Sequence, residues 1–255
     1  MMKPWLSIVF PAYNEEDRIG NAIRQAAAYF GPGHYWGRVD LVVVANGCTD
    51  RTAEVATETA LTVLRGYKGL RFSLLRSRKG KGAAVRKGVL RSGGSLVYIA
   101  DVDLATPLSE LPKMIAEINQ GKADLVVGSR LAAGAEVSGV SGLRGAASSV
   151  FSAAASLLVP GVQDTQCGFK LIRRSAANQI FSRLRMDGFI YDVEMLHVAG
   201  KLGYTVQEMP VKWTHDDRST VRLVRDSASM GLGLLKIAGY SIGGVYTQRR
   251  PNPAG

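Results

Sequence analysis

The triplet Asp101-Val102-Asp103 follows the apolar run Ser95-Leu96-Val97-Tyr98-Ile99-Ala100 and sets two carboxylates where a buried strand runs out. Two acids one residue apart repel each other when both are ionised and unpaired, so Mg2+ or Mn2+ carrying a nucleotide diphosphate is a natural partner for Asp101 and Asp103. A solvated turn or a helix cap is the plain alternative for so short a motif. Position argues for the metal, because open α/β sheets keep their ligands beyond the carboxyl ends of their strands. Three other segments carry matching chemistry: Phe10-Pro11-Ala12-Tyr13-Asn14-Glu15-Glu16, Ala45-Asn46-Gly47-Cys48-Thr49-Asp50 and Lys79-Gly80-Lys81-Gly82. The first two can sandwich a nucleobase, and the lysines and glycine N–H groups of the third suit its diphosphate.

These segments need elements to hold them at one edge. Leu6 to Phe10 reads as a strand, and Glu15 to Phe30 as a helix with Ile19, Ile23, Ala26, Ala27 and Phe30 on one face. Leu41 to Ala45 is the next strand, ended by Asn46-Gly47, with Thr49 or Asp50 capping a helix through Val55 to Leu64. Strands at Leu70 to Leu75, Ser95 to Ala100 and Ala123 to Gly128 alternate with helices at Gly82 to Leu90 and from Pro107 and Ser109 through Met114 and Ile118. Near-continuous apolar strands between helices predict a mostly parallel sheet buried on both faces, an α/β fold. All four motifs then fall at the same sheet edge.

A chain of 255 residues is long enough for a sizeable core. Lys and Arg outnumber Asp and Glu by 32 to 21, a net charge of +11, which calls for anionic partners: nucleic acid, a phosphorylated substrate or an acidic membrane face. Cys48 and Cys167 are too few for a disulfide framework and lack zinc spacing, which fits a reducing cytoplasm and two small packed residues. Met-Met-Lys-Pro-Trp leads at once into a strand-like run, so no export signal is expected. His34, His197 and His215 have no ligand spacing and read as structural or exposed. Residues 146–162 carry no charge and read as a core helix, too short and too weakly apolar to span a bilayer. The tail 227–246 has five glycines and one lysine; with Arg218, Arg222 and Arg225 before it and Arg249 and Arg250 after it, it reads as an amphipathic helix at a membrane surface or packed on the domain.

The four sheet-edge motifs together resemble family two glycosyltransferases of the GT-A fold. Gln163-Asp164-Thr165-Gln166-Cys167-Gly168-Phe169-Lys170-Leu171, Tyr191-Asp192-Val193-Glu194-Met195-Leu196 and Val211-Lys212-Trp213-Thr214 narrow the likeness to the dolichyl-phosphate β-glucosyltransferase branch, from about Leu6 to Thr214. The resemblance implies a Rossmann-like GT-A domain over 1–220, with a nucleotide-sugar half to about 105 and an acceptor half beyond it, and a C-terminal helical tail over 221–255. It implies metal-dependent, inverting transfer of a hexose, glucose first, from a nucleotide diphosphate sugar to a polyprenyl phosphate. UDP-glucose and GDP-mannose are the candidate donors, and the setting is cytoplasmic, peripheral on the inner face of the cell membrane. Pro11, Tyr13, Asn14, Glu15, Asn46, Gly47, Lys79, Lys81, Gly82, Asp101 and Val102 are then the nucleotide-sugar residues, and Asp101 and Asp103 the metal ligands. Arg130, Arg144, Gln166, Cys167, Gly168 and Lys170 face the acceptor, and Asp103, Arg130 and Asp192 carry the catalysis.

A phosphate acceptor is already a nucleophilic anion at neutral pH, so cationic positioning matters more than a general base, and guanidinium forks match phosphate oxygens. Either Arg130 or Arg144 is a surface arginine in the bland reading. Asp192 and Glu194, two apart on a helix, do not share a face, so Asp192 is taken as the site acid and Glu194 as a cap or salt-bridge partner. Relatives carry two acids where this chain has Ala45-Asn46, which opens the identity of the base, since an Asn amide both donates and accepts. A soluble or other lipid acceptor is the nearest rival. A nucleotidyltransferase is a further one, and a nucleic-acid binder resting on Arg76-Ser77-Arg78-Lys79-Gly80-Lys81 lacks interleaved aromatics, so no nucleic acid is expected.

Overall fold

Uncharged β-rich runs are buried on both faces only where helices cover a sheet from both sides. The computed structural model has that arrangement, and it describes residues 5–31, 37–139, 151–152, 154–214 and 223–247. His34, Arg144, His215, Arg218, Arg222, Arg249, Arg250 and residues 146–150 and 153 lie outside the described residues. The first half alternates strictly: β1 (Leu6–Ala12), α1 (Glu16–Phe30), β2 (Val39–Asn46), α2 (Thr52–Val63), β3 (Leu70–Ser77), α3 (Lys81–Arg91), β4 (Leu96–Ala100), α4 (Leu111–Asn119) and β5 (Leu125–Ser129). The second half adds β6 (Glu136–Ser138), β7 (Phe169–Arg173), α5 (Arg174–Phe181), α6 (Tyr191–Lys201), β8 (Val206–Pro210), β9 (Lys212–Thr214) and α7 (Leu223–Ile242).

The main sheet has the order β3-β2-β1-β4-β7-β5-β8, and β6 pairs with β9 beside it. Every neighbouring pair in the main sheet is parallel except those of β7, which runs antiparallel between β4 and β5. Alternate residues of one strand feed opposite layers: Leu6, Ile8 and Phe10 pack with Ile19, Ile23 and Met114, whereas Val9 packs with Val85, Val89 and Val193. The chain leaves β1 toward β2 on one side and returns to β4 on the other, which makes the β1/β4 boundary the switch point where a crevice opens at the carboxyl edge. The motifs after β1, β2 and β4 all reach that edge.

Boundaries differ from the sequence reading where turns intervene. The helix after β4 starts at Leu111, because a 3-10 turn over Leu108–Glu110 follows Pro107. The uncharged stretch is not one helix to 162: its described helical residues end at 156, and turns through Pro160 and Gly161, at φ +85°, follow, since proline cannot continue a helix. Ala155, Val159 and Val162 are buried there while Leu157 is exposed. The tail does form a helix, and among the described residues no helix is long and apolar enough to cross a membrane.

Helix α3 lies close to the sheet because Gly88 lacks a side chain: a methyl there would overlap Val9 Cγ1 and stand 2.9 Å from Val44 Cγ2. Gly88→Val is expected to lower unfolding free energy by about 2–3 kcal/mol, the range of overpacked cores. Urea denaturation checks this as a lower midpoint at unchanged slope.

Candidate active site

The loop after β1 is fixed by contacts to the loop after β2. Asn14 adopts φ +53°, and its side chain accepts the Thr49 N–H at 2.9 Å and donates to the Thr49 hydroxyl at 3.2 Å. Thr52 Oγ1 accepts the Glu15 N–H at 2.8 Å, and Asp50 in turn accepts the Thr52 N–H at 3.1 Å. Glu15 is held by Arg18 at 2.6 Å; burial pushes its carboxyl up, Arg18 opposes that, and the charges of Asp103 and Asp101 add to it. Glu15 therefore belongs to the same acidic edge as the Asp101-Val102-Asp103 turn.

The loop after β2 meets the glycine-rich loop before α3. Asn46, buried, accepts the Gly80 N–H on Oδ1 at 2.7 Å. An N–H donor requires an oxygen there, so the amide orientation is fixed and Asn46 has its Nδ2 donors for anything beyond. Gly47, at φ +62°, sits so near Lys79 that a Cβ would stand 3.1 Å from the Lys79 nitrogen. Lys79 Nζ donates to the Tyr13 hydroxyl at 2.7 Å and lies 4.4 Å from the ring centre, joining the first and third loops across the crevice.

At the centre Lys81 Nζ lies 2.7 Å from Asp101 Oδ1. Dehydration on its own would raise the Asp101 carboxyl and lower the Lys81 ammonium. Their attraction overrides both, so Asp101 titrates below the usual carboxylate range and Lys81 above its ordinary value. Asp103, whose Oδ1 accepts the Ala105 N–H at 3.1 Å, is pushed up by dehydration and by the charge of Asp101. The edge thus holds more negative charge than Lys81 neutralises. Among the described residues no three His, Cys, Asp or Glu side chains form a closed metal cage. Asp101 and Asp103 fit a divalent cation whose remaining ligands come from a substrate, with the Lys81 ammonium already marking where Asp101 accepts positive charge. Val102 turns its side chain into the core, so it faces the crevice through backbone alone.

The antiparallel strand brings the second half to the same place. Ala100 pairs with Phe169 in the β4/β7 register, so Gly168 stands opposite Asp101. A methyl on Gly168 would overlap the Asp101 carboxylate. Cys167 and Lys170 are wholly inside. Lys170 donates to the Cys167 carbonyl and lies 2.6 Å from Asp192, which is also buried. These three residues, expected to touch an acceptor or to act as a free site acid, instead form a buried support behind Asp101: an ammonium and a carboxylate removed from water persist only as a pair. Glu194 is the clamp of a neighbouring loop, accepting the N–H groups of Arg185 and Met186 at 2.8 Å each.

Arg130 follows β5 and is gripped by Asp164, through Nε at 2.7 Å, Nη2 at 2.9 Å and its backbone N–H at 3.0 Å. Its guanidinium lies 5.3 Å from the centre of the Trp213 ring. The fork toward Asp164 is taken, so the Nη1 side is the one it offers to an anion. Asp164 is anchored in turn, its N–H and that of Gln163 donating to Glu208 at 2.7 and 3.0 Å, while the Gln166 N–H donates to Asp164 at 3.2 Å. Asp164 and Glu208 are the residues that sequence reasoning missed. Asp164 stood inside a quoted motif, but its partner is 34 residues away and no local spacing announces it.

The model of the family described as glycosyl transferase family 2 matches residues 7–181. A dolichyl-phosphate beta-glucosyltransferase of Trichomonas vaginalis is 33% identical over 257 residues, covering 95% of this chain and 73% of its own. Its counterpart from Saccharomyces cerevisiae is 30% identical, with 96% and 78% covered, and that from Homo sapiens is 31% identical, with 91% and 74% covered. Among solved structures, glucosyl-3-phosphoglycerate synthase from Mycobacterium tuberculosis in complex with Mn2+, UDP-glucose and phosphoglyceric acid aligns with TM-score 0.68 at 18% identity over 98% of this chain and 81% of that one.

Gly168→Ala tests the site without touching a charged group. The added methyl displaces the Asp101 carboxylate, which can rotate, so the fold should survive. Affinity for Mn2+ with a nucleoside diphosphate should fall about tenfold or more, the scale of disturbing one support of a metal ligand; calorimetric titration beside a circular dichroism melt checks both.

Proposed function

The chain belongs to glycosyl transferase family 2, with the GT-A architecture, and from that premise we propose that it transfers glucose from UDP-glucose to a polyprenyl phosphate with inversion at the anomeric carbon. The single observation that carries this reading is the acidic turn Asp101-Val102-Asp103 facing Lys81 at the sheet's switch point, with Arg130 gripped by Asp164 at the end of β5. The dolichyl-phosphate glucosyltransferase relatives support the donor and acceptor classes. The half before about residue 105 takes the nucleotide sugar and the half to about residue 220 the acceptor. GDP-mannose is the alternative donor, because Asn46 spends its carbonyl on Gly80 and the amide donors left to it do not single out uracil.

In this mechanism Tyr13, Asn14 and Asn46 border the base, while Lys79, Lys81 and the Gly82 turn surround the diphosphate. Asp101 and Asp103 would hold Mg2+ or Mn2+, which when bound neutralises the negative charge that develops on the leaving diphosphate. Arg130 orients the acceptor phosphate through its Nη1 side. The acceptor oxygen needs no base: it attacks the anomeric carbon as an anion while the bond to the diphosphate oxygen breaks on the opposite face. Lys170 and Asp192 act from behind, fixing the turn that bears Gly168 and hence the direction of the Asp101 carboxylate.

The acceptor's lipid would be met at a bilayer surface. Leu232, Leu235 and Ile242 are 63%, 71% and 89% exposed on one face of α7, opposite the buried Gly233 and Ile237. With the net charge of +11, this face suits peripheral contact with anionic headgroups.

Two measurements test the proposal. With Mn2+, the protein should form a lipid-linked sugar from dolichyl phosphate and UDP-glucose; EDTA should abolish the product, and Asp103→Asn should cut the rate at least ~100-fold, the scale of losing one strong electrostatic stabiliser. Product from GDP-mannose alone would replace the donor, and undiminished activity in EDTA would end the metal assignment. Separately, the protein should co-sediment with vesicles containing acidic lipids at low salt and be released by high salt. Protein that remains in the supernatant under the low-salt condition would direct the search to a soluble acceptor.

A further inference from the structure

The Lys79–Gly82 loop does not stand on its own. Its back wall is the segment 185–190 between α5 and α6. The Ala83 N–H, in the first turn of α3, donates to the Asp187 carbonyl at 3.1 Å, and Arg78 and Arg86 both pair with the Asp187 carboxylate. A methyl on Gly82 would stand 2.6 Å from Tyr191 Cβ and 2.7 Å from the Met186 carbonyl oxygen, so the two backbones touch without a gap.

The back wall is pinned in turn by one fully buried carboxylate. Glu194 accepts the Arg185 and Met186 N–H groups at 2.8 Å each, and Oε1 also takes a hydrogen bond from the Tyr246 hydroxyl at 2.9 Å. Tyr246 lies in the 3-10 turn Val245–Thr247 that follows α7 and is 4% exposed. Other contacts seat the same C-terminal unit. Gly233 brings α7 so near Ile190 that a Cβ would be 2.8 Å from Ile190 Cγ1, and His197 bridges the Leu158 carbonyl and the Ser241 hydroxyl at 2.8 Å each.

We propose that Tyr246, through Glu194, is a positioning residue for the diphosphate loop, so that the C-terminal turn sets the affinity for the nucleotide although it is remote from it in sequence. The inference rests on the reading of Lys79–Gly82 as the diphosphate site. A buried carboxylate keeps its orientation only while its donors hold it from several sides. Without the Tyr246 hydroxyl, the Glu194 carboxylate turns toward its two remaining N–H donors. The Arg185–Met186 backbone moves with it, and so does the Asp187 carbonyl that ties down the first turn of α3.

Calorimetric titration of the full chain with UDP and with GDP, each with Mn2+, tests this on the wild type, Tyr246→Phe, Ile237→Val and Lys81→Met. Tyr246→Phe should weaken nucleotide binding about fivefold or more, the range of couplings carried by packed networks. KM for the phosphate acceptor should stay at the wild-type value. Ile237→Val loosens the same helix without touching Glu194 and should bind nucleotide as the wild type does. Wild-type affinity in Tyr246→Phe would overturn the proposal, and so would equal weakening by Ile237→Val, which would mark a general loosening. If Lys81→Met leaves affinity untouched, the reading of the loop itself fails and the inference falls with it. Should Tyr246→Phe not fold, Glu194→Gln, which keeps volume but can no longer accept on both sides, must show the same loss.

Discussion

Negative charge gathered at the carboxyl edge of the sheet is the constraint on which the rest of this structure depends. Asp101, Asp103 and Glu15 converge there, the charges of Asp101 and Asp103 raising the Glu15 carboxyl and that of Asp101 raising Asp103, so the cluster leans on nearby cations. Lys81 answers Asp101 from the front, and behind it Lys170 answers Asp192 in the interior. The two pairs influence each other: Asp192 helps hold Lys81 charged, and Lys170 helps hold Asp101 ionised. Even so, the Asp103 and Glu15 carboxyls stay raised, so the edge keeps negative charge that Lys81 and Arg18 do not fully offset.

Several backbone features exist to make that edge compact. Asp101 has room because the residue opposite it in the antiparallel register is Gly168. The loop before α3 comes against the loop after β2 because Gly47 and Gly80 take positive φ and carry no side chain. The reversed strand β7 has a further effect. It delivers the 163–168 turn, and with it Asp164, to the end of β5 where Arg130 emerges, so the first and second halves of the chain meet at one edge. An all-parallel continuation would have required a crossover helix at that point instead.

Much of this was legible in the chain. The apolar runs of β1, β2 and β4 and the stripe Ile19, Ile23, Ala26, Ala27 and Phe30 gave the layers, because burial on a sheet or helix face leaves a period of its own. The four loop motifs could be placed at one edge because parallel strands all present the same end. That Cys167, Lys170 and Asp192 lie buried was not legible, since a motif tells which residues occur together and not which face inward. A buried lysine and a solvent-facing one are written alike.

The sequence by itself therefore determined the α/β class, the crevice edge and the residue types that meet there, for these follow from hydrophobic period and from chemistry carried within short segments. Only the tertiary structure decided the direction of β7, the grip of Asp164 and Glu208 on Arg130, and the tie from Tyr246 through Glu194 to the wall behind the Lys79–Gly82 loop. Each of these joins residues far apart in the chain. Such partners are selected by the geometry of packing and by the cost of leaving a buried charge unpaired, and neither leaves a local pattern in the order of residues.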